Sequence, residues 1–158
     1  MIKKEKIIEL ANQRIEELNN GSYLVDVNIS SSNSIVVEMD NLNNSVSIND
    51  CVSVSRNVEH NLDREEVDFE LKVTSPGLDQ PFKVINQYYK NIGRRVKIVH
   101  LNHGSSEGVL KKVTDQEITL QWEEKERLEG KKKKIKVIKE KTINYKEIKE
   151  TKLILSFK

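Results

Sequence analysis

Apolar positions along this chain follow two different periods, and the places where the period changes mark the elements. Between residues 3 and 18, Ile7, Ile8, Ala11, Ile15 and Leu18 recur at helical spacing while Lys and Glu fill the opposite side, which predicts an amphipathic helix. Asn19-Asn20-Gly21 ends it, since glycine accepts the left-handed conformation that follows a helix. The period then becomes two. Tyr23, Val25, Val27 and Ile29 alternate with Leu24, Asp26, Asn28 and Ser30, Ser31-Ser32-Asn33-Ser34 reads as a turn, and Ile35, Val37 and Met39 resume the alternation. A second helix is expected from about Ile48 to Leu62, with Cys51, Val54 or Ser55, Val58 and Leu62 as its stripe and Ser47 and Asp50 at capping-box spacing. Phe69, Leu71 and Val73 alternate as a third strand. The order α-β-β-α-β predicts a sandwich of one sheet with both helices on one face.

Residues 74–81 carry both prolines of the chain, and Pro76-Gly77 reads as a turn in which glycine supplies φ > 0. Phe82, Ile85, Tyr88, Tyr89 and Ile92 suggest a short helix closing on Gly93. The remainder is β in pattern. Val96 with Ile98, Gly108–Val113, Ile118 with Leu120 and Trp122, Ile135 with Val137, and Leu153 with Leu155 and Phe157 give five short strands, the pattern of a small closed barrel. Trp122 falls on the apolar side of its strand and is expected in the core, whereas residues 123–134 (EEKERLEGKKKK) read as an exposed hairpin tip. The fold class is α+β, with an α/β domain over 1–82, a linker with a short helix over 83–92 and a β-barrel domain over 93–158.

Charge sharpens this division. The 158 residues carry a net charge of only +2. Residues 1–81 hold seven basic against fifteen acidic side chains, a net of −8, and residues 82–158 hold twenty against ten, a net of +10. Opposite charge on two halves points to different partners. The longest purely apolar runs are three residues, far short of the roughly 20 that a membrane helix needs, and the charged N-terminus MIKKEKIIELANQRIEEL lacks a secretory signal pattern. With one cysteine the chain forms no internal disulfide, so a reducing cytoplasm is expected.

Enzymatic chemistry finds little footing. No GxxxxGK or GxGxxG motif is present. Cys51 lies on a helical apolar stripe, where a thiol packs as a small hydrophobe. His100 and His103 have ligand-like spacing without a completing set, and both are placed on a loop. Glu65, Glu66 and Asp68 lack the glycine and spacing of a calcium loop. No catalytic residue, metal or cofactor is expected. The strongest functional signal is basic: Arg94, Arg95 and Lys97 on one strand, Lys111 and Lys112 before a turn, then Lys131, Lys132, Lys133 and Lys134, with Lys136, Lys139 and Lys141 following. Such a field attracts phosphate backbones through counterion release. Glu123, Glu124, Glu126 and Glu129 lie beside it and partly neutralise the run. No aromatic-rich stacking motif accompanies the lysines, so contact to phosphate rather than base readout is expected.

Three segments carry a resemblance. Ser47-Ile48-Asn49-Asp50-Cys51-Val52-Ser53-Val54-Ser55-Arg56 with Leu62-Asp63, then Phe69-Glu70-Leu71-Lys72-Val73-Thr74-Ser75-Pro76-Gly77-Leu78-Asp79, and more weakly Asn91–Ile98 with Gly108-Val109-Leu110 and Ile118-Thr119-Leu120 are similar to RimP, the bacterial ribosome maturation factor family. The chain departs from that family's usual Arg at Gln80 and its usual Leu at Phe82. The resemblance implies an SH3-like C-terminal barrel and non-catalytic binding to the immature small (30S) ribosomal subunit, at a ribosomal protein near the decoding centre and the adjacent 16S rRNA. Membrane and small-molecule partners are not expected, and the chain is expected to be a monomer. Ser75, Pro76, Gly77, Leu78 and Asp79 then form either an interdomain turn or a surface presented to a partner. A general RNA-binding translation factor and an SH3-like protein adaptor are the alternatives. The adaptor needs an exposed aromatic groove, for which only Trp122 and Tyr145 are available on the barrel strands.

Overall fold

The computed structural model describes residues 2–155 apart from 128 and 131. The chain divides into two compact units, 1–77 and 78–158. Their sequences carry seven basic and fourteen acidic residues in the first, a net of −7, and twenty and eleven in the second, a net of +9.

The first unit runs α1 (Lys4–Leu18), β1 (Ser22–Ile29), β2 (Ser34–Asn41), α2 (Ile48–His60) and β3 (Glu70–Thr74). Both helices and the sheet share one core, with Ile7, Leu10 and Ala11 of α1, Val54 and Val58 of α2, and Ile35, Val37 and Met39 of β2 buried together. Leu10, absent from the expected stripe, is among them. The helix stop is Asn19, left-handed at φ 43°, two residues before the glycine. Asparagine tolerates that region better than other non-glycine residues. At α2 the Ser47 hydroxyl accepts from the Asp50 amide at 3.0 Å. The Asp50 carboxylate accepts instead from Asn20 Nδ2 at 2.9 Å.

β1 pairs antiparallel with β2, and β3 joins β2 in parallel, giving the order β1-β2-β3. The buried positions of β1 are the expected Tyr23, Val25 and Val27, although a register shift falls between Leu24 and Asp26. Leu24, read as a solvent position, lies opposite Met39 and packs against the core, while Tyr23 lies opposite Asp40. Arg64 ties the end of α2 to β3: it donates to the Phe69 carbonyl at 2.7 Å, sits 4.1 Å from the centre of the Phe69 ring, and pairs with Glu59 and Asp68.

The Ser75-Pro76-Gly77 segment corrects one expectation. Gly77 is not among the positive-φ glycines, which are Gly21, Gly93 and Gly130. The chain passes through 75–77 without a turn, and the turn falls at 78–79. Pro76 disfavours a helical conformation for Ser75 before it.

The second unit contains α3 (Ile85–Lys90), β4 (Arg95–His100), β5 (Ser105–Val113), β6 (Glu117–Arg127), β7 (Lys134–Asn144), a 3-10 turn at Tyr145–Glu147 and β8 (Ile148–Leu153). All five strands are antiparallel, in the order β7-β6-β5-β4-β8. Among the described residues the ladder has two ends, β7 and β8, so the hydrogen bonding does not close into the expected barrel. Val96, Ile98, Leu110, Ile118, Leu120 and Ile143 fill the core, and Tyr88 of α3 joins them. The last strand lies earlier than the apolar pattern indicates: β8 ends at Leu153, and Phe157 lies outside the described residues. The inward position that hid it is Thr151, only 1% exposed, whose hydroxyl is 2.7 Å from the Tyr88 hydroxyl. A polar inward residue erases the alternation that sequence reading depends on. Among the described residues no helix is long and apolar enough to cross a membrane.

Candidate nucleic-acid interface

Burial alternates along β4: Val96, Ile98 and His100 are buried, while Arg95 and Lys97 are exposed on the outer face of the sheet. Lys97 lies opposite Glu107 on one side and Lys152 on the other. Arg94 precedes the strand and donates to Asn91 Oδ1 at 3.1 Å, at the end of α3. Lys111 occupies an irregularity in β5, and Lys112 lies opposite Thr119. Two exposed lysines therefore adjoin at a register shift, where strict alternation lapses.

The most informative part is the hairpin of β6 and β7. The β5 register with β6 ends at Val109↔Gln121, but β7 follows β6 from Glu117 to Arg127. Residues 122–127 and 134–139 thus form a two-stranded arm. The strands extend well into the region expected as a tip, β6 running to Arg127 and β7 starting at Lys134. Lys132 and Lys133 are exposed there, Gly130 takes φ 79°, and Lys131 lies outside the described residues.

Pairing sorts the charges, because side chains directly opposite one another share a face. One face carries Glu123 with Ile138, Lys125 with Lys136, and Arg127 with Lys134. The other carries Trp122 with Lys139, Glu124 with Val137, and Glu126 with Ile135. The first set continues the outer face of the sheet and holds four cations against one carboxylate. The second continues the core side. Its carboxylates are engaged: Glu126 pairs with Lys139 at 2.7 Å, and Glu124 accepts from Trp122 Nε1 at 2.8 Å. Hydrogen bonding to Glu126, reinforced by its charge, raises the Lys139 ammonium above its ordinary value. Trp122 is half-buried at the edge of the core rather than within it.

The neutralisation expected from the interleaved glutamates is therefore incomplete in space. Lys125 and Arg127 stand two residues apart on one face, as Lys134 and Lys136 do on the facing strand. Two like-charged pairs in succession oppose hairpin formation. At a separation of about 6 Å in water each repels by roughly 0.7 kcal/mol before screening. Sequence reading passed over Lys125 and Arg127 because the segment read as one loop. Their i, i+2 spacing was the available signal.

Elsewhere the candidates separate. Burial pushes the Cys51 thiol up, with Asp50 and Asp40 adding to it, against a nucleophilic thiolate. His100 is not in a loop: it is buried at the end of β4 with Nε2 2.8 Å from the Ser106 hydroxyl, because the strand runs two residues beyond its apolar pair. His103 lies in the following turn at φ 72°. No group of three or more His, Cys, Asp or Glu among the described residues is placed to hold a metal. Ser75, Gly77, Leu78 and Asp79 are exposed and Pro76 half-buried, with Leu78 65% exposed.

A family model described as the RimP N-terminal domain matches residues 11–79. The chain is 42% identical over 154 residues to a Flavobacterium psychrophilum protein named ribosome maturation factor RimP, covering 98% of each. It is 42% identical to the protein of the same name from Christiangramia forsetii, covering 98% of this chain and 99% of that one. A Porphyromonas gingivalis protein, again so named, is 34% identical over 151 residues, covering 95% of this chain and 97% of the other. Similarity at this level over nearly the full length, with a match to the N-terminal domain over the α/β unit, means that the chain belongs to the RimP family.

Proposed function

We propose that this protein is a non-catalytic ribosome maturation factor of the cytoplasm that binds the immature small ribosomal subunit and assists its assembly. The observation that carries the reading is the opposite charge of two separately cored units, in a chain whose relatives bear the name ribosome maturation factor. The acidic unit suits a basic ribosomal protein and repels RNA. The basic unit suits the adjacent 16S rRNA, with Arg94, Arg95, Lys97, Lys111, Lys112 and Lys131–Lys134 as candidate contacts. The strand order β7-β6-β5-β4-β8, in which the first strand of the unit pairs with both the second and the last, supports an SH3-like arrangement for it. Exposed Leu78 and Asp79, at the start of the second unit, are candidates for a partner contact. Release follows if the mature subunit conformation binds the factor less well than the immature one.

Sedimentation with immature and mature small subunits, at low and moderate salt, tests the proposal. Preferential association with the immature particle is expected. Absence of association at both salts refutes it, and equal association with any free RNA favours a general RNA-binding factor instead.

A further inference from the structure

We propose that the outer face of the β6–β7 arm docks on the phosphate backbone of RNA through Lys125, Arg127, Lys134 and Lys136, without reading sequence. The assignment deepens the ribosomal reading and rests on it for which RNA is met. It is drawn from the pairing of the arm. The four cations occupy two consecutive opposite pairs, Lys125↔Lys136 and Arg127↔Lys134. Neighbours on one face of a strand lie about 7 Å apart and opposite residues about 5 Å apart, so the four form a compact rectangle. All four are exposed, and none forms an ion pair among the described residues. On the opposite face both glutamates are occupied by Lys139 and Trp122.

An isolated ribbon is marginally stable, and like charges in register weaken it further. A polyanion laid along this face removes that repulsion. Phosphate fits better than an acidic peptide because the cationic end of the face offers no apolar anchor. Its sole apolar residue, Ile138, lies nearer the sheet opposite Glu123. Protein interfaces depend on buried aromatic or aliphatic anchors, whereas phosphate contact needs evenly spaced cations. Base stacking is not available on this side either, since Trp122 belongs to the other face. A bound strand is therefore held by its backbone alone.

The test compares the full chain with a variant carrying Lys125→Gln, Arg127→Gln, Lys134→Gln and Lys136→Gln. A control of equal charge change carries Lys3→Gln, Lys4→Gln, Lys6→Gln and Lys72→Gln in the acidic unit. The probe is a fluorescent mixed-sequence single-stranded RNA, titrated from about 50 to 200 mM salt. If each cation neutralises one phosphate, the salt slope falls by about 3 in the arm variant, so the unaltered chain loses roughly 50-fold more affinity across that range. The control is expected to keep the salt slope of the unaltered chain, with at most a slight loss of affinity from its added negative charge. The arm variant is expected to melt no earlier than the parent, since its substitutions relieve repulsion, and the four-fold replacement by Arg and Lys (Arg127→Lys, the rest to Arg) is expected to retain binding. An unchanged slope in the glutamine variant overturns the assignment, as does arm-dependent binding of poly-glutamate that matches RNA. The sedimentation experiment keeps the two readings apart. Subunit association with an inert arm overturns the arm assignment alone, and arm-dependent RNA binding without subunit association overturns the ribosomal reading alone.

Discussion

The hydroxyl pair of Tyr88 and Thr151 offers a sharp test of how the second unit is held together. Tyr88 Oη and Thr151 Oγ1 lie 2.7 Å apart in a buried contact joining α3 to β8, elements 63 residues apart in sequence. Thr151→Val keeps the shape of the side chain and leaves the phenol without its partner. Stranding a buried polar group costs about 1–3 kcal/mol. Tyr88→Phe removes the phenol oxygen and leaves the threonine hydroxyl short of one partner, costing about 1–1.5 kcal/mol. The double variant removes both groups and strands neither, so its loss is expected to fall below the sum of the singles by about 1–2 kcal/mol. For a unit of this size 1 kcal/mol moves the melting midpoint by roughly 4–8 °C. Trp122 is the sole tryptophan and packs against this core, so its fluorescence follows the second unit selectively during urea or thermal unfolding. Strictly additive single effects, with the double variant the least stable of the four proteins, refute the reasoning.

Three further outcomes follow from particular contacts. At Gly108 an added Cβ meets the Gln121 carbonyl oxygen at 2.8 Å, a backbone atom that cannot swing away, so Gly108→Ala is expected to lower second-unit stability by about 1–3 kcal/mol, read from the Trp122 transition. Arg64→Ala removes the bond to the Phe69 carbonyl and the ring contact, and is expected to cost about 1–2 kcal/mol by far-UV denaturation of the first unit, with Arg64→Lys recovering only part because it lacks the planar fork. Burial, with smaller contributions from Tyr88, Tyr89 and Asp115, pushes Tyr145 up to about 12 from its usual 10. The unfolded chain ionises first, so this contribution to stability is complete below pH 10 and is lost as pH rises towards 12. Tyr145→Phe is expected to flatten alkaline unfolding over that window, and an unchanged alkaline midpoint rejects the argument.

How much of this was readable in advance depends on what each element buries. α1, β2 and α2 pack a single apolar face, and their periods showed plainly in Ile7, Ile35 and Val58. β1 buries Tyr23, Val25 and Val27 as their alternation indicates, while its register shift, which lets the half-buried Leu24 reach the core beside Met39, has no marker in composition. β8 was misplaced because its inward residue is Thr151, satisfied by a tyrosine that only the folded chain brings near. The turn expected at Gly77 moved to 78–79 for want of a left-handed backbone at the glycine. The basic character of the second half was evident from counting, but its disposition was not.

The sequence by itself determined the order of elements, the two opposed charges and the absence of phosphate-cradling glycine motifs, since these depend on local spacing and composition. The tertiary structure decided which side each charged residue faces. In a loop Lys125 and Arg127 would be mixed with Glu124 and Glu126. Pairing β6 with β7 in one register puts Lys125 and Arg127 on the outer face and Glu124 and Glu126 on the other, because a strand projects successive side chains to opposite sides.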